Sequence, residues 1–391
     1  MKPERSTFIR VIAINMLMLC FALSISLLGQ MFSAIKAQYN ISLSQGGLLL
    51  SVQSIGGLLL SILCILFIRA INKNKLLVIC GFVLCCSMLL VGALLPLALM
   101  FLLFILLGFS GGAINALTNA TLADTVPQRS ERYINFMHML FSFGSVIAPV
   151  LSQALFPSVG LTGVFLIFGG FALCWALFSV FAFTDQLKMP LATGTFSLLP
   201  RFRDAVSVLK TPGMAVIFVI AMLITAWQLS AIYYISTFFT GITGLPMKGA
   251  LALSLLFLGM MLSRLIYARI ADRFPKGRVL LLTNAVGLFA WAAVFIVQDV
   301  TAKYVFVTLA ALACGNNFPI TFSAACRLVP HNTAAASSFV NLGYYVSIFV
   351  FIPIIGTLGD SIGLSTALLM SGAALMLILP LSLLLHRQMK T

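Results

Sequence analysis

Few side chains in this sequence could move a proton or hold a charged ligand, and their positions are informative. The 391 residues contain eight carboxylates: Glu4, Asp124, Glu131, Asp185, Asp204, Asp272, Asp299 and Asp360. Each falls in a polar stretch or at the end of an apolar one. Inside the apolar stretches, the side chain able to change charge near neutral pH is His138, and the embedded cation is Arg264. His138 is either a proton site or solute donor, or a neutral ring hydrogen-bonded to its neighbours. Arg264 is expected in a structural role, snorkelling to an interface or pairing with charges there; the alternative is a grip on a substrate carboxylate or phosphate. Neutral polar and aromatic groups recur near the middle of the apolar stretches: Gln53, Asn115, Asn119, Trp227, Gln228, Asn316, Asn317, Asn341, Tyr344 and Tyr345. Amides both donate and accept, and rings cover the apolar face of a sugar-like solute, so the set suits a hydroxyl-rich ligand. Taken singly, each amide serves equally well as a helix–helix hydrogen bond.

The elements that must position these groups follow from composition. Apolar residue types make up 61% of the chain, charged ones 8%, and the mean hydropathy is +1.14. Soluble domains carry roughly 25% charged residues, so this chain cannot dress a soluble surface. The apolar residues group into twelve stretches, at 8–31, 45–68, 76–95, 97–122, 133–156, 161–183, 213–238, 249–270, 278–297, 303–326, 334–357 and 364–385. A span needs about 20 apolar residues, and continuous runs of this length are helical. Lys2, Arg5 and Arg10 precede the first run in the manner of a signal peptide. That run is too long for such a peptide and lacks a small-residue cleavage site, so it is expected to be the first span.

Basic residues set the orientation. Of the 23 Lys and Arg, all but Lys36, Lys248, Lys303 and the embedded Arg264 fall in the tails and in the loops after even-numbered spans. The positive-inside rule puts both termini in the cytoplasm, with the chain in the plasma (inner) membrane. The net charge of +15 is thereby explained without a nucleic-acid partner. All eight cysteines fall within spans, which argues against a disulfide framework or a zinc site. No metal or other cofactor is expected, no phosphate-binding GxxxxGK[ST] loop occurs, and an enzymatic activity is not expected.

The chain repeats itself. At an offset of 203 residues, Asp124-Thr125-Val126-Pro127 meets Arg327-Leu328-Val329-Pro330, Ser158 to Leu161 meets Ser361 to Leu364, and His138 meets Asn341. Two six-helix bundles, 1–183 and 213–391, joined by a cytoplasmic linker at 184–212, are the expected build of a secondary transporter.

At Gly259 to Arg278 (GMMLSRLIYARIADRFPKGR) the sequence resembles the loop between spans 8 and 9 of the major facilitator superfamily. The equivalent first-half loop, Arg69 to Lys75, is degenerate, with Asn72 where an Asp is expected. A weaker similarity, at Asn135 to Pro149, is to the fucose/galactose/glucose proton-symporter branch. The resemblance implies an all-α membrane fold of twelve helices in two pseudo-symmetric bundles. It implies alternating access to a site near the midplane between the halves, and gating roles for Asp272, Arg273 and Arg278. Sugar symporters of that branch use embedded carboxylates, which this chain lacks, leaving His138 as the proton-coupling candidate or facilitated transport without one.

The repeat adds a further expectation: Asp124 and Arg327, at equivalent span ends with opposite sign, form a gating ion pair with Glu131 and Arg264 nearby. The expected partners are a small polar solute, sugar-like or an organic anion, a proton if His138 carries one, and the bilayer around a monomer. The alternative is efflux of amphipathic drugs or metabolites through a Met- and Phe-rich cavity. A receptor or scaffold role on the same fold is the more distant choice.

Overall fold

The computed structural model describes residues 3–67, 72–187, 208, 211–270, 274–330 and 333–388. Apolar runs too long for a strand become helices because only a helix satisfies its own backbone groups in lipid. Among the described residues there are thirteen α-helices: α1 (Pro3–Tyr39), α2 (Leu43–Ser51), α3 (Gln53–Phe67), α4 (Lys73–Gly92), α5 (Leu97–Thr125), α6 (Ser130–Leu187), α7 (Met214–Thr243), α8 (Pro246–Ile270), α9 (Lys276–Ile296), α10 (Val300–Cys314), α11 (Asn317–Leu328), α12 (Thr333–Ile362) and α13 (Leu364–Gln388).

Three departures from one helix per crossing have local causes. Helix α6 has 58 residues, about 87 Å at 1.5 Å each, against a hydrocarbon core of about 30 Å. It is two crossings that turn at Gly160, whose φ of 64° and ψ of −174° break the helical path. Counting it as two gives the twelve spans, where length and hydropathy alone mark 11 candidate helices among the described residues. Span 2 is divided at Val52 into α2 and α3, and span 10 at Gly315–Asn316 into α10 and α11. The second break has a chemical reason. Pro319 lacks an N–H, and its ring crowds the carbonyl four residues back, that of Gly315, so the helix restarts with Pro319 in its tolerant first turn.

The chain separates into two compact units, Met1–Ile35 with Val52–Phe196, and Lys36–Ser51 with Ser197–Thr391. In the first, α4 packs on α5 and α6, and α3 on α5. The α3–α5 contact is reciprocal between glycines: a methyl on Gly56 would collide with the Ile105 carbonyl oxygen, and one on Gly108 with that of Gln53. Helix α1 lies against the same group, with Phe21 5.7 Å from Phe141 ring to ring. Asn72 caps α4 by accepting from the N–H groups of Asn74 and Lys75, while its own amide donates to the Gln186 carbonyl at 2.8 Å. A carboxylate could do only the first of these, which accounts for Asn at this position. In the second unit α7 packs on α8, α11, α12 and α13, and α2 packs on α12. The end of the first crossing and the start of the second therefore belong, by contact, with the C-terminal helices. This differs from a division at 183 and 213 alone, because helix packing ignores chain order.

Candidate functional site

Polar side chains at mid-depth concentrate in the second unit. Trp227 and Gln228 lie about 20 Å along α7 from Met214, and Asn316 about 18 Å from Leu328 along α11. Both distances start from one end of the unit, since a Cβ on Gly213 would stand 2.9 Å from Leu328 Cδ1. Met260 of α8 joins the two places. Its sulfur faces Gln228 Nε2 at 3.6 Å, and its Cα would lie 2.6 Å from a Cβ on Gly315, at the break in span 10.

The hydrogen-bond inventory around this point is short of acceptors. Thr283 donates to Asn317 Oδ1 at 2.9 Å, Asn317 Nδ2 to Asn284 Oδ1 at 3.0 Å, and Asn284 Nδ2 to the Leu280 carbonyl at 2.6 Å. That chain ties α11 to α9 and uses both ends of Asn317. Trp291 donates to the Leu368 carbonyl at 2.8 Å, and its ring meets that of Trp227 edge-to-face at 5.5 Å. Among the described residues Trp227 Nε1 and Asn316 Nδ2 are buried with no acceptor, and Gln228 Nε2 has only a thioether. A buried donor left unpaired costs about 1–3 kcal/mol, and such groups are rare in folded proteins. Unpartnered buried polar atoms also occur elsewhere among the described residues, at Asn15, Thr121 and Ser145 for example; what sets this region apart is that three nitrogen donors from α7 and the break in span 10 lie around one residue, Met260. Tyr344 of α12 packs its ring 5.4 Å from Phe318 and 5.1 Å from Tyr345, with half-buried Asn341 one turn earlier on the same helix.

The first unit is arranged otherwise. His138 Nε2 lies 3.1 Å from Asn119 Oδ1, and Asn119 Nδ2 donates to the Asn115 carbonyl at 2.6 Å. With the amide oxygen turned to the ring, Nε2 carries the hydrogen. His138 is about 12 Å along α6 from Ser130, nearer one end than the middle. Asn115, a turn deeper on α5, is exposed, and Gln53 opens α3 directly after the turn at Val52. A pair the sequence did not single out, Gln30 and Gln153, joins α1 to α6 at 3.0 Å. Their identical amides on distant spans carried no spacing signal.

The charged candidates spread to the helix ends. Asp124 is ion-paired with Lys73 inside the first unit, a partner from the opening turn of α4 that sequence equivalence with Arg327 did not suggest. Arg264 is half-buried one turn beyond Met260 on α8, and Arg278 and Arg327 are exposed. The Glu131 side chain, Asp272 and Arg273 lie outside the described residues. Among the described residues no group of three or more His, Cys, Asp or Glu could hold a metal ion.

The sequence profile of the Major Facilitator Superfamily matches residues 14–351 and 249–390. Among solved structures the fold is similar to a bacterial homolog of the human lysosomal transporter Spinster in an inward-facing, unoccupied conformation (TM-score 0.81, 14% identity, covering 100% of this chain and 98% of that one). It is also similar to the nucleoside transporter NupG (TM-score 0.75, 14% identity, 99% of each chain). Among curated proteins none matches the sequence.

Proposed function

Because the chain belongs to the major facilitator superfamily and is a multi-pass membrane transporter, we propose that it moves a small polar organic solute, sugar-like or an organic anion, by alternating access. The observation that carries this is the donor excess at mid-depth of the second unit. Among the described residues Trp227 Nε1 and Asn316 Nδ2 are buried without acceptors, and Gln228 Nε2 faces only sulfur. A solute rich in oxygen acceptors would satisfy them, while Tyr344 and Trp227 offer aromatic surface for its carbon skeleton. Repacking between states is what would bring such buried donors to the solute. In the first unit, His138 held by Asn119 is the group able to take a proton in step with transport. The distribution of Lys and Arg supports both termini in the cytoplasm; residence in the plasma membrane as a monomer is part of the same proposal.

The test is a thermal-shift panel of sugars, organic acids and amphipathic drugs on the purified protein, followed by counterflow in proteoliposomes with every compound that stabilises it. Stabilisation and counterflow by a polar solute are the expected result. Stabilisation by drugs alone would replace this proposal with efflux, and binding without flux would point to a receptor.

A further inference from the structure

At the end of the second unit that carries residue 388, α9 and α13 cross with no room for a methyl on Gly277. A Cβ there would stand 2.7 Å from His386 Cβ and 2.8 Å from the Ser382 carbonyl oxygen. Beside the crossing lies a groove of about 500 Å³ lined by Arg278, Leu281 and Leu282 from α9 and Leu383, His386 and Arg387 from α13. Two features of this groove pull in different directions and fit one class of ligand. Arg278 and Arg387 are exposed, and neither helix contains an Asp or Glu, so the two guanidinium groups face outward without a carboxylate on their own elements. Yet the other walls are aliphatic. Leu282 is 66% exposed and Leu383 49%, and along α9 the stripe continues through Val286 at 48% and Phe289 at 70%.

In a chain whose helices cross a bilayer, that stripe lies against acyl chains, while arginines in the first and last turns of the helices lie at headgroup depth. We propose that the groove between α9 and α13 is a binding site for an anionic phospholipid. Arg278 and Arg387 hold the phosphate, for which the planar guanidinium is suited by its paired donors. One acyl chain runs along Leu282, Val286 and Phe289. A free inorganic anion would match the cations but leave the leucine walls uncovered, and a zwitterionic lipid would bring its own cation against the two arginines. The site is independent of the transported solute.

The experiment is native mass spectrometry of the purified full chain, with phosphatidylglycerol and phosphatidylcholine of identical acyl chains in competition. The unmodified protein is expected to retain phosphatidylglycerol preferentially. Arg387→Gln, which has no expected gating role, should lower that preference about fivefold, and the Arg278→Gln/Arg387→Gln pair about 25-fold. Phosphatidylcholine retention should stay constant, which shows that the groove is intact, and Arg387→Lys should keep most of the preference. Equal retention of the two lipids by the unmodified protein, or an undiminished preference in the double variant, overturns the proposal. Displacement of the lipid by glycerol phosphate at equal concentration also overturns it, because the leucine walls would then contribute nothing.

Discussion

Asp360, in the last turn of α12, accepts the backbone N–H groups of Leu43 at 3.0 Å and Ser44 at 2.7 Å, and so caps a helix more than 300 residues away in the chain. The Ser44 hydroxyl and that of Thr357 add a contact at 2.9 Å. The first turn of any helix leaves N–H groups without intrahelical partners, and a carboxylate satisfies them while complementing the positive end of the helix dipole. The cap joins a packed contact: α2 lies against α12, whereas α3, beyond the turn at Val52, belongs with the first unit.

Asp360→Ala should therefore lower the thermal unfolding midpoint. Capping residues contribute about 1 kcal/mol, and solvent screening at this exposed position reduces that to roughly half. Asp360→Asn, which keeps one acceptor oxygen, should lose less. An unchanged midpoint in the alanine variant would show that water caps α2 equally well.

The two neighbouring indoles make different predictions. Trp291→Phe removes the donor to the Leu368 carbonyl and should cost about 1–2 kcal/mol of stability. Trp227→Phe removes a buried donor that has no acceptor among the described residues, so it should cost only the small cavity left by the smaller ring and less than Trp291→Phe, while affinity for the solute falls about tenfold. A loss in Trp227→Phe equal to or larger than that in Trp291→Phe, which leaves the same cavity and also breaks a hydrogen bond, would mean that the Trp227 indole N–H is satisfied within the protein.

His138 and Asn119 can be tested by separating binding from coupling. His138→Gln keeps a polar side chain near Asn119 and should leave counterflow within a few-fold of the parent, while abolishing uptake driven by a pH gradient. Gradient-driven uptake that survives in this variant would remove His138 as the coupling group.

Glycines differ in what surrounds them. Gly56→Ala and Gly108→Ala each force a methyl onto a backbone carbonyl at the α3–α5 contact and should destabilise by about 1–3 kcal/mol. Gly170→Ala, a helical position with nothing within 4 Å of the added carbon, should be neutral or stabilising by up to about 1 kcal/mol. Similar midpoints for all three would argue that α3 and α5 can part without loss.

The helical class, the number of crossings and the family were legible because they depend on one-dimensional quantities: the length of apolar runs, the scarcity of charge, and a loop motif at Gly259 to Arg278. Gly160 shows the limit of that legibility, for the two spans it separates appeared in the sequence while the positive φ of 64° that turns the chain between them did not. The polar candidates were legible as a set but not in their roles. Asn316 and Asn317 are adjacent and chemically identical, yet Asn317 spends both ends of its amide on Thr283 and Asn284, while Asn316 Nδ2 finds no acceptor. Nothing in sequence spacing could separate them, because the helix break at Gly315 sets which way each side chain turns.

The charges divide along the same line. Arg264 apart, their confinement to the tails, loops and span ends was fixed by the cost of placing an ion in hydrocarbon, which depends only on where a residue falls along the chain. Their partners depended on which helix ends meet. Asp124 with Lys73, Asp360 with the start of α2, and Arg278 beside Arg387 are all neighbours brought together by packing between different helices, in the last two cases helices remote in sequence. A residue's depth in the bilayer is counted along its own helix, but its neighbour is chosen by the helix packed against it, and that choice exists only in three dimensions.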